Sequence, residues 1–525
     1  MKKLIGFLVI MIAFSTFSQT SSIDLNTYFR DFSLKPIVLS SQPFMPKVVL
    51  KNTAKITVND NSDNESKIGS RIKKHFCDQY LFEVHDERVH LYFSPIINFQ
   101  IGQNWLDNEG STLYQNTSGI YVKGTLLKNF SFSTAFVENQ ARFSDYENYF
   151  ISNHGEFYPN ASTIQQNGVV PGGGRTKPFK EEGYDYGYAI GSFLYKPIKN
   201  LEIRAGNAPT FVGSGYRSLI LSDNSYQAPS IDIKYTFLKK WSYGVRKARG
   251  LNLIRKTAFS TVEGYYQPKA LSRHYLNFDI NSKITLGLSE NSFWSMGDTV
   301  TTRPNGLYYA PIPFLGLSQS TNHTIYGVDA SEIVGSKTRF YQQFVISGFS
   351  VDQIGFQFGV RFYDLLPNSM LQLEYNKVGG ELYAADSPNM SYTHYNLPLA
   401  HPKGQGFNEL VIRANVSIKR VYGESKTVCY WLKNYNERDL LPMDNESNAI
   451  DELIIHQQFE LGYRINPKIN FCFFGRTILR ISDNDPTQIL LHIGLSTNLF
   501  NSYNDYQELH IVFMFALCRW VVESN

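Results

Sequence analysis

Charge is scarce in this sequence. Of its 525 residues 18% are charged, against roughly 25% in soluble globular chains, so an ordinary water-covered surface is poorly supplied. After the N-terminus no run of eighteen apolar residues occurs, which excludes crossing a membrane by a long helix. A large basic excess is lacking as well. Without Lys2 and Lys3 the formal charge falls from +4 to +2, and no concentrated surface for nucleic-acid phosphates is left. The four cysteines, Cys77, Cys429, Cys472 and Cys518, show no C-x-x-C spacing; the pattern allows one disulfide and argues against a zinc site.

Aromatic residues are abundant, with 34 Tyr and 38 Phe. Lys2 and Lys3 precede an apolar stretch from Leu4 to Phe14 and a small, polar approach to Gln19. This is the pattern of a secretory signal peptide over 1–18, too short for the ~20 residues of a spanning helix. An exported chain that enters a membrane without such helices must cross as a closed barrel, because only there is every backbone group paired.

Alternation is the test, and several segments pass it. In 354–362, Ile354, Phe356, Phe358, Val360 and Phe362 alternate with Gly355, Gln357, Gly359 and Arg361. In 408–419 the apolar set Leu410, Ile412, Ala414, Val416 and Ile418 alternates with polar residues, Val411 excepted. Eighteen such runs can be placed between 88 and 499, many joined by tight turns and others separated by long polar stretches at 140–182, 208–228, 291–321, 379–407 and 432–452. Short turns on one rim and long loops on the other are the outer-membrane asymmetry. The expected fold is all-β, a transmembrane antiparallel barrel of about eighteen strands over 87–506, in the cell outer membrane. A periplasmic segment over 19–86 with a helix at Ser66–Cys77 precedes it, and an atypical tail follows over 507–525. A soluble propeller or sandwich would show similar alternation, but not the loop asymmetry. One run is expected at 251–264, with part of the basic stretch 241–256 an exposed loop, since Lys or Arg at mid-bilayer costs roughly 2–4 kcal/mol.

Three groups of residues are candidates for chemistry. Glu138, Asn139, Gln140 and Arg142 end a strand and face the lumen or rim. Gly213-Ser214-Gly215-Tyr216-Arg217-Ser218 is neither a nucleophile elbow nor a phosphate loop; its glycines permit a reversal across which Arg217 pairs with Asp223. His394, Tyr395, Asn396 and His401 lie in a long loop without metal-ligand spacing. They suit a sugar ligand or a loop packed by its own hydrogen bonds. No cofactor signature is present.

These stretches resemble a Bacteroidetes outer-membrane family that includes the gliding-motility protein RemB and is related to the capsule-assembly protein Wzi. The likeness is carried by Phe136 to Phe143, Val170-Pro171-Gly172 with Lys177 to Lys180 and Gly183 to Tyr186, Phe211-Val212-Gly213 with Gly215 to Leu219 and Leu221 to Asp223, His394 to Asn396 with Pro398 to Pro402, and Leu495 to Phe500. It implies an eighteen-stranded barrel with a periplasmic helical element and a non-enzymatic surface role in gliding, adhesion or attachment of capsular polysaccharide. The implied partners are outer-membrane lipid, surface polysaccharide and other motility or capsule-export proteins. The chain departs from the family pattern at Asn207 to Thr210 and in continuing beyond Tyr506. A porin-like channel is the competing reading, since barrels of this strand number can enclose water. A barrel hydrolase would need a Ser or Thr nucleophile supported by His, and no such set can be assembled from the sequence.

Overall fold

A computed structural model describes residues 77–506 with interruptions, the longest at 159–166, 256–265, 297–302, 315–322, 433–439 and 441–451. The signal segment, all of the expected helix except Cys77, and the tail 507–525 lie outside the described residues.

Eighteen strands form the wall: β1 (Val89–Asn104), β2 (Thr112–Leu126), β3 (Phe130–Arg142), β4 (Gly183–Ile198), β5 (Leu201–Gly206), β6 (Ser230–Phe237), β7 (Trp241–Arg255), β8 (Tyr266–Asp279), β9 (Ile284–Ser295), β10 (His323–Val334), β11 (Thr338–Ile346), β12 (Ile354–Tyr363), β13 (Ser369–Val378), β14 (Phe407–Ile418), β15 (Val421–Leu432), β16 (Glu452–Asn466), β17 (Phe471–Ser482) and β18 (Gln488–Thr497). Each pairs antiparallel with its sequence neighbours. The wall closes where β18 meets β1, from Asn98 opposite Ser496 to Asn104 opposite Leu490. Closure removes the unpaired edges that lipid would not tolerate.

The two-residue rhythm sorts side chains between lipid and lumen. On β12, Phe358 is 52% exposed on the outside while its neighbour Gln357 is buried inside. On β16, Phe459, Leu461 and Tyr463 face outward, whereas Gln458, Glu460 and Arg464 are buried. Eight connections of two to five residues mark one rim. Several of their residues, among them Asn368, Lys419 and Asn470, take the left-handed backbone that tight hairpins require. The long loops leave the opposite, extracellular rim. With an apolar outer face, a closed wall and this loop asymmetry, the chain is an outer-membrane β-barrel.

The basic stretch before residue 256 is a correction to the sequence reading. It is not an exposed loop but the strand β7, in which Arg246 and Lys247 are met by neighbouring groups while Arg249 stays exposed. Arg246 points inward, donating to Thr210 Oγ1 at 2.6 Å and lying 3.7 Å from Asp232. Lys247 points outward but under the segment 305–314, which folds back over the wall: its Nζ is 3.4 Å from the Ala310 carbonyl and 4.9 Å from the Tyr308 ring centre. Lys239 and Lys240 sit in the periplasmic turn, and Arg255 reaches the rim. A cation is costly in hydrocarbon only when nothing shields it.

The core lies in the lumen. The described parts of extracellular loops 143–182, 207–229 and 379–406 fold inward, and buried Tyr146, Phe150, Tyr216, Leu219, Tyr383 and Tyr392 from them pack together. The first loop carries a short helix, α1 (Asp145–Asn153), started by a capping box between Ser144 and Glu147. After β18 the chain does not end in the wall. Residues 499–506 turn back into the lumen from the periplasmic end, with Leu499 among Ile96, Tyr121 and Val137 and with Tyr506 stacked on Phe150 at 4.2 Å.

Candidate functional site

The plug meets the wall at Gly213 to Ser218. Gly213 has φ +101°, and a Cβ there would lie 2.3 Å from Gln343 Nε2; glycine is required for backbone to press this closely on the wall. The gain is a set of bonds between loop backbone and inward-facing wall residues. Tyr216 and Arg217 N–H donate to the Glu374 carboxylate at 2.6 and 3.0 Å. Leu219 N–H donates to Gln343 Oε1 at 2.8 Å, and Gln357 Nε2 donates to the Arg217 carbonyl at 3.0 Å.

Arg217 is the centre of this node. Its Nε donates to Glu409 of β14 at 3.0 Å and its Nη2 approaches Asp505 of the C-terminal segment at 3.1 Å. Nη2 also donates to Tyr430 Oη at 3.0 Å. The Tyr216 ring lies 4.7 Å below the guanidinium, and Lys426 is 3.0 Å from the far oxygen of Asp505. Arg217, Glu409 and Asp505 are essentially sealed from solvent. Burial pushes the Asp505 carboxyl up, but Arg217, Lys426 and His456 outweigh it and hold it well below the usual carboxylate range. Burial works against the Arg217 charge too, yet Asp505 and Glu409 hold it charged. One ion-pair cluster therefore ties an extracellular loop, the wall and the C-terminal segment together.

The expected pair of Arg217 with Asp223 does not form: Arg217 engages Glu409, Asp505 and Tyr430 through its Nε and Nη2 instead. Asp223 instead accepts from Tyr503 Oη at 2.7 Å and Asn501 Nδ2 at 2.8 Å, a second tie to the C-terminal segment. His401 lies beside the node. Its Nδ1 accepts from Lys403 N–H and its Nε2 faces Glu409 at 2.8 Å, which fixes the Nε2–H tautomer. Burial lowers its pKa despite the pull of Glu409.

His394, Tyr395 and Asn396 form the end of a small hairpin, Thr393–His394 against Leu397–Pro398, resting on the upper end of β7. His394 Nδ1 accepts from Leu251 N–H at 3.1 Å, and burial, aided by Lys269, lowers its pKa to about 3. Asn396 accepts from Leu253 N–H at 2.9 Å and donates to the Gly155 carbonyl at 2.6 Å. Tyr395 is part-exposed, 4.6 Å from the Tyr226 ring. Of the group ending β3, only Asn139 faces the lumen, accepting from Thr117 Oγ1 at 2.7 Å. Glu138, Gln140 and Arg142 share the outward face with Phe136 near the extracellular rim, where Arg142 pairs with Glu182.

Sequence reasoning missed Glu374, Glu409, Lys426 and Asp505, and also Glu156, Arg175 and Arg255 at the mouth. The wet-face positions of 370–378 and 408–418 marked Glu374 and Glu409 as lumenal, but no sequence signal names the loop they hold. Among the described residues no cluster of three metal-ligating side chains is present, and Cys77, Cys429 and Cys472 are unpaired.

No known family profile and no curated protein matches this chain. Solved structures with a similar fold include Wzi of Escherichia coli, a carbohydrate-binding outer-membrane β-barrel involved in group 1 capsule assembly, at 10% identity and TM-score 0.49, with 82% of this chain and 86% of that one covered. OccAB4 of Acinetobacter baumannii follows at 8% identity and TM-score 0.39, covering 78% and 97%, and OccK7 (OpdD) of Pseudomonas aeruginosa at 8% and 0.40, covering 79% and 99%. By its own wall and loops, this chain is an eighteen-stranded outer-membrane barrel whose lumen is occupied by its own inward-folded segments.

Proposed function

We propose that this barrel is a non-enzymatic surface protein that holds capsular or other extracellular polysaccharide, in support of adhesion, gliding motility or capsule attachment, rather than a diffusion channel. One observation carries the reading: the lumen is filled by three extracellular loops and the C-terminal segment, locked by the buried Arg217, Glu409 and Asp505 cluster. A channel needs a continuous watery path, and among the described residues these segments pack across the lumen against inward-facing wall residues, with one cavity of about 40 Å³ between plug and wall lined by Thr210, Tyr226, Arg246, Arg273 and Phe293 among others. The sequence likeness to the gliding and capsule-assembly family supports the same reading. Of the histidines singled out in the sequence, His394 accepts from the Leu251 N–H and His401 engages the Lys403 N–H and Glu409, contacts that hold the inward-folded loop.

The partners are outer-membrane lipid around the wall, polysaccharide at the extracellular mouth, and motility or capsule-export proteins of the same membrane. Deleting the gene is expected to release surface polysaccharide into the medium and to weaken adhesion or spreading, with complementation restoring both. Unchanged retention, adhesion and spreading would overturn the reading.

A further inference from the structure

The extracellular mouth above β7 and β8 gathers part-exposed tyrosines around a cationic centre that the plug node does not use. Arg255 ends β7 and Tyr266 begins β8, directly opposite it. Residue Phe157 bridges to Ile254, bringing Glu156 and Tyr158 to the same place. Glu156 is buried and accepts from Arg175 Nη1 at 2.7 Å, Arg255 Nη2 at 3.0 Å and Asn167 Nδ2 at 2.9 Å. Two guanidiniums thus meet one carboxylate. Arg175 retains 21% side-chain exposure and also contacts the Tyr266 hydroxyl. Tyr226 stands beside Gly174, where a Cβ would come within 3.1 Å of its ring, and pairs with Tyr395 at 4.6 Å.

Tyr395 is the informative residue. It and Asn396 are the two central residues of the hairpin, with φ of 53° and 60°. A two-residue turn with both in the left-handed region favours Asn, Asp or Gly at each place, and a bulky residue there is strained in a way that collects at binding sites. The ring is not needed to make the turn; it packs in part against the core and Tyr226 and leaves its remaining surface at the mouth. Resting on the polysaccharide reading above, we propose that this mouth binds acidic sugar units, a pyranose face lying on Tyr395 and Tyr226 and a uronate-type carboxylate meeting Arg175. Apolar sugar faces pack on aromatic rings, and a guanidinium fork matches a carboxylate.

The test uses the full mature chain in detergent against polygalacturonate and alginate, the neutral polymers dextran and mannan, and polyphosphate as a non-sugar anion. The uronate polymers are expected to bind more tightly than the neutral ones, and less so in high salt. Tyr395→Asn suits the turn better than tyrosine does, which offsets the packing the ring gives up against the core, so it is expected to stay folded with a thermal transition within a few degrees of the parent while weakening uronate binding about fivefold to tenfold. Arg175→Gln is expected to erase the preference for charged over neutral polymer, and Arg175→Lys to restore part of it. Equal binding of neutral and acidic polymers, polyphosphate binding that matches the uronates, or Tyr395→Asn binding like the parent would each overturn the proposal. A silent panel in a strain whose deletion still sheds polysaccharide overturns this site alone; a silent panel together with unchanged retention overturns the polysaccharide reading as well.

Discussion

Replacing Arg217 with methionine removes the loop's own cation, which bridges Glu409 of the wall and Asp505 of the C-terminal segment. Glu409 would keep His401 at 2.8 Å and Asn376 Nδ2 at 2.7 Å, and Asp505 would keep Lys426 at 3.0 Å and Tyr216 Oη at 2.7 Å, so neither carboxylate is left bare. Breaking a buried ion pair by removing one partner costs about 3–5 kcal/mol. With those remaining partners the lower end applies, and ~3 kcal/mol is a factor of roughly 150 in an equilibrium. The wall, held by its own ladders, should be unaffected. Hydrogen exchange reads both: backbone amides of residues 212–224 should open about a hundredfold faster in Arg217→Met, while those of β12 and β13 hold their rates. Adding Glu409→Gln neutralises one of the two carboxylates that have lost the guanidinium, so the double variant should lose less than the two single losses added. Parental exchange in the loop of Arg217→Met would refute the view that this node fastens the plug.

Acid should loosen the plug. Burial lowers the His394 pKa to about 3 and the His154 pKa to about 4, whereas undocked imidazoles titrate near 6.5; the undocked plug therefore binds more protons between those values. Docking is fully stabilised above ~pH 6.5 and weakens as pH falls, by up to about 1.4 kcal/mol per unit for each histidine, with Asp505 adding in the same direction only below ~pH 4. Loop exchange that is flat from pH 7 to pH 5, after correction for intrinsic rates, would contradict this. Gly213→Ala places a Cβ against Gln343 at a φ of +101° and should destabilise the plug by about 1–3 kcal/mol, seen as faster exchange of the same amides; parental rates would show that the loop tolerates the side chain. Phe358→Arg puts a cation on the lipid face at the middle of β12 and should cost roughly 2–4 kcal/mol in refolding titrations into bilayers, whereas an unchanged midpoint would mean that position does not meet lipid.

The wall was legible in the sequence because its rule is local. Alternation at 354–362 and 408–418 depends only on which side of one strand meets lipid, and β12 and β14 follow it. The rule failed at β7, since what makes Lys247 tolerable is Ala310 and Tyr308, more than sixty residues away. The plug was less legible for the same reason. Gly213, Tyr216 and Arg217 stand out as a loop motif, but Arg217 chose Glu409 and Asp505 over the nearby Asp223, a choice made by three-dimensional placement rather than spacing. His394 and Asn396 read as ligand-type residues, and the structure uses both to bond the backbone of β7, leaving Tyr395 as the part-exposed member of that hairpin.

The filled lumen separates a surface-anchoring barrel from a channel, and single-molecule conductance of the refolded mature chain in a planar bilayer tests it most directly. A silent, electrically closed protein is expected at neutral pH, with steps emerging in Arg217→Met as the plug comes free. Steady open conductance from the parent chain, of the size an unobstructed eighteen-stranded pore would give, would contradict it.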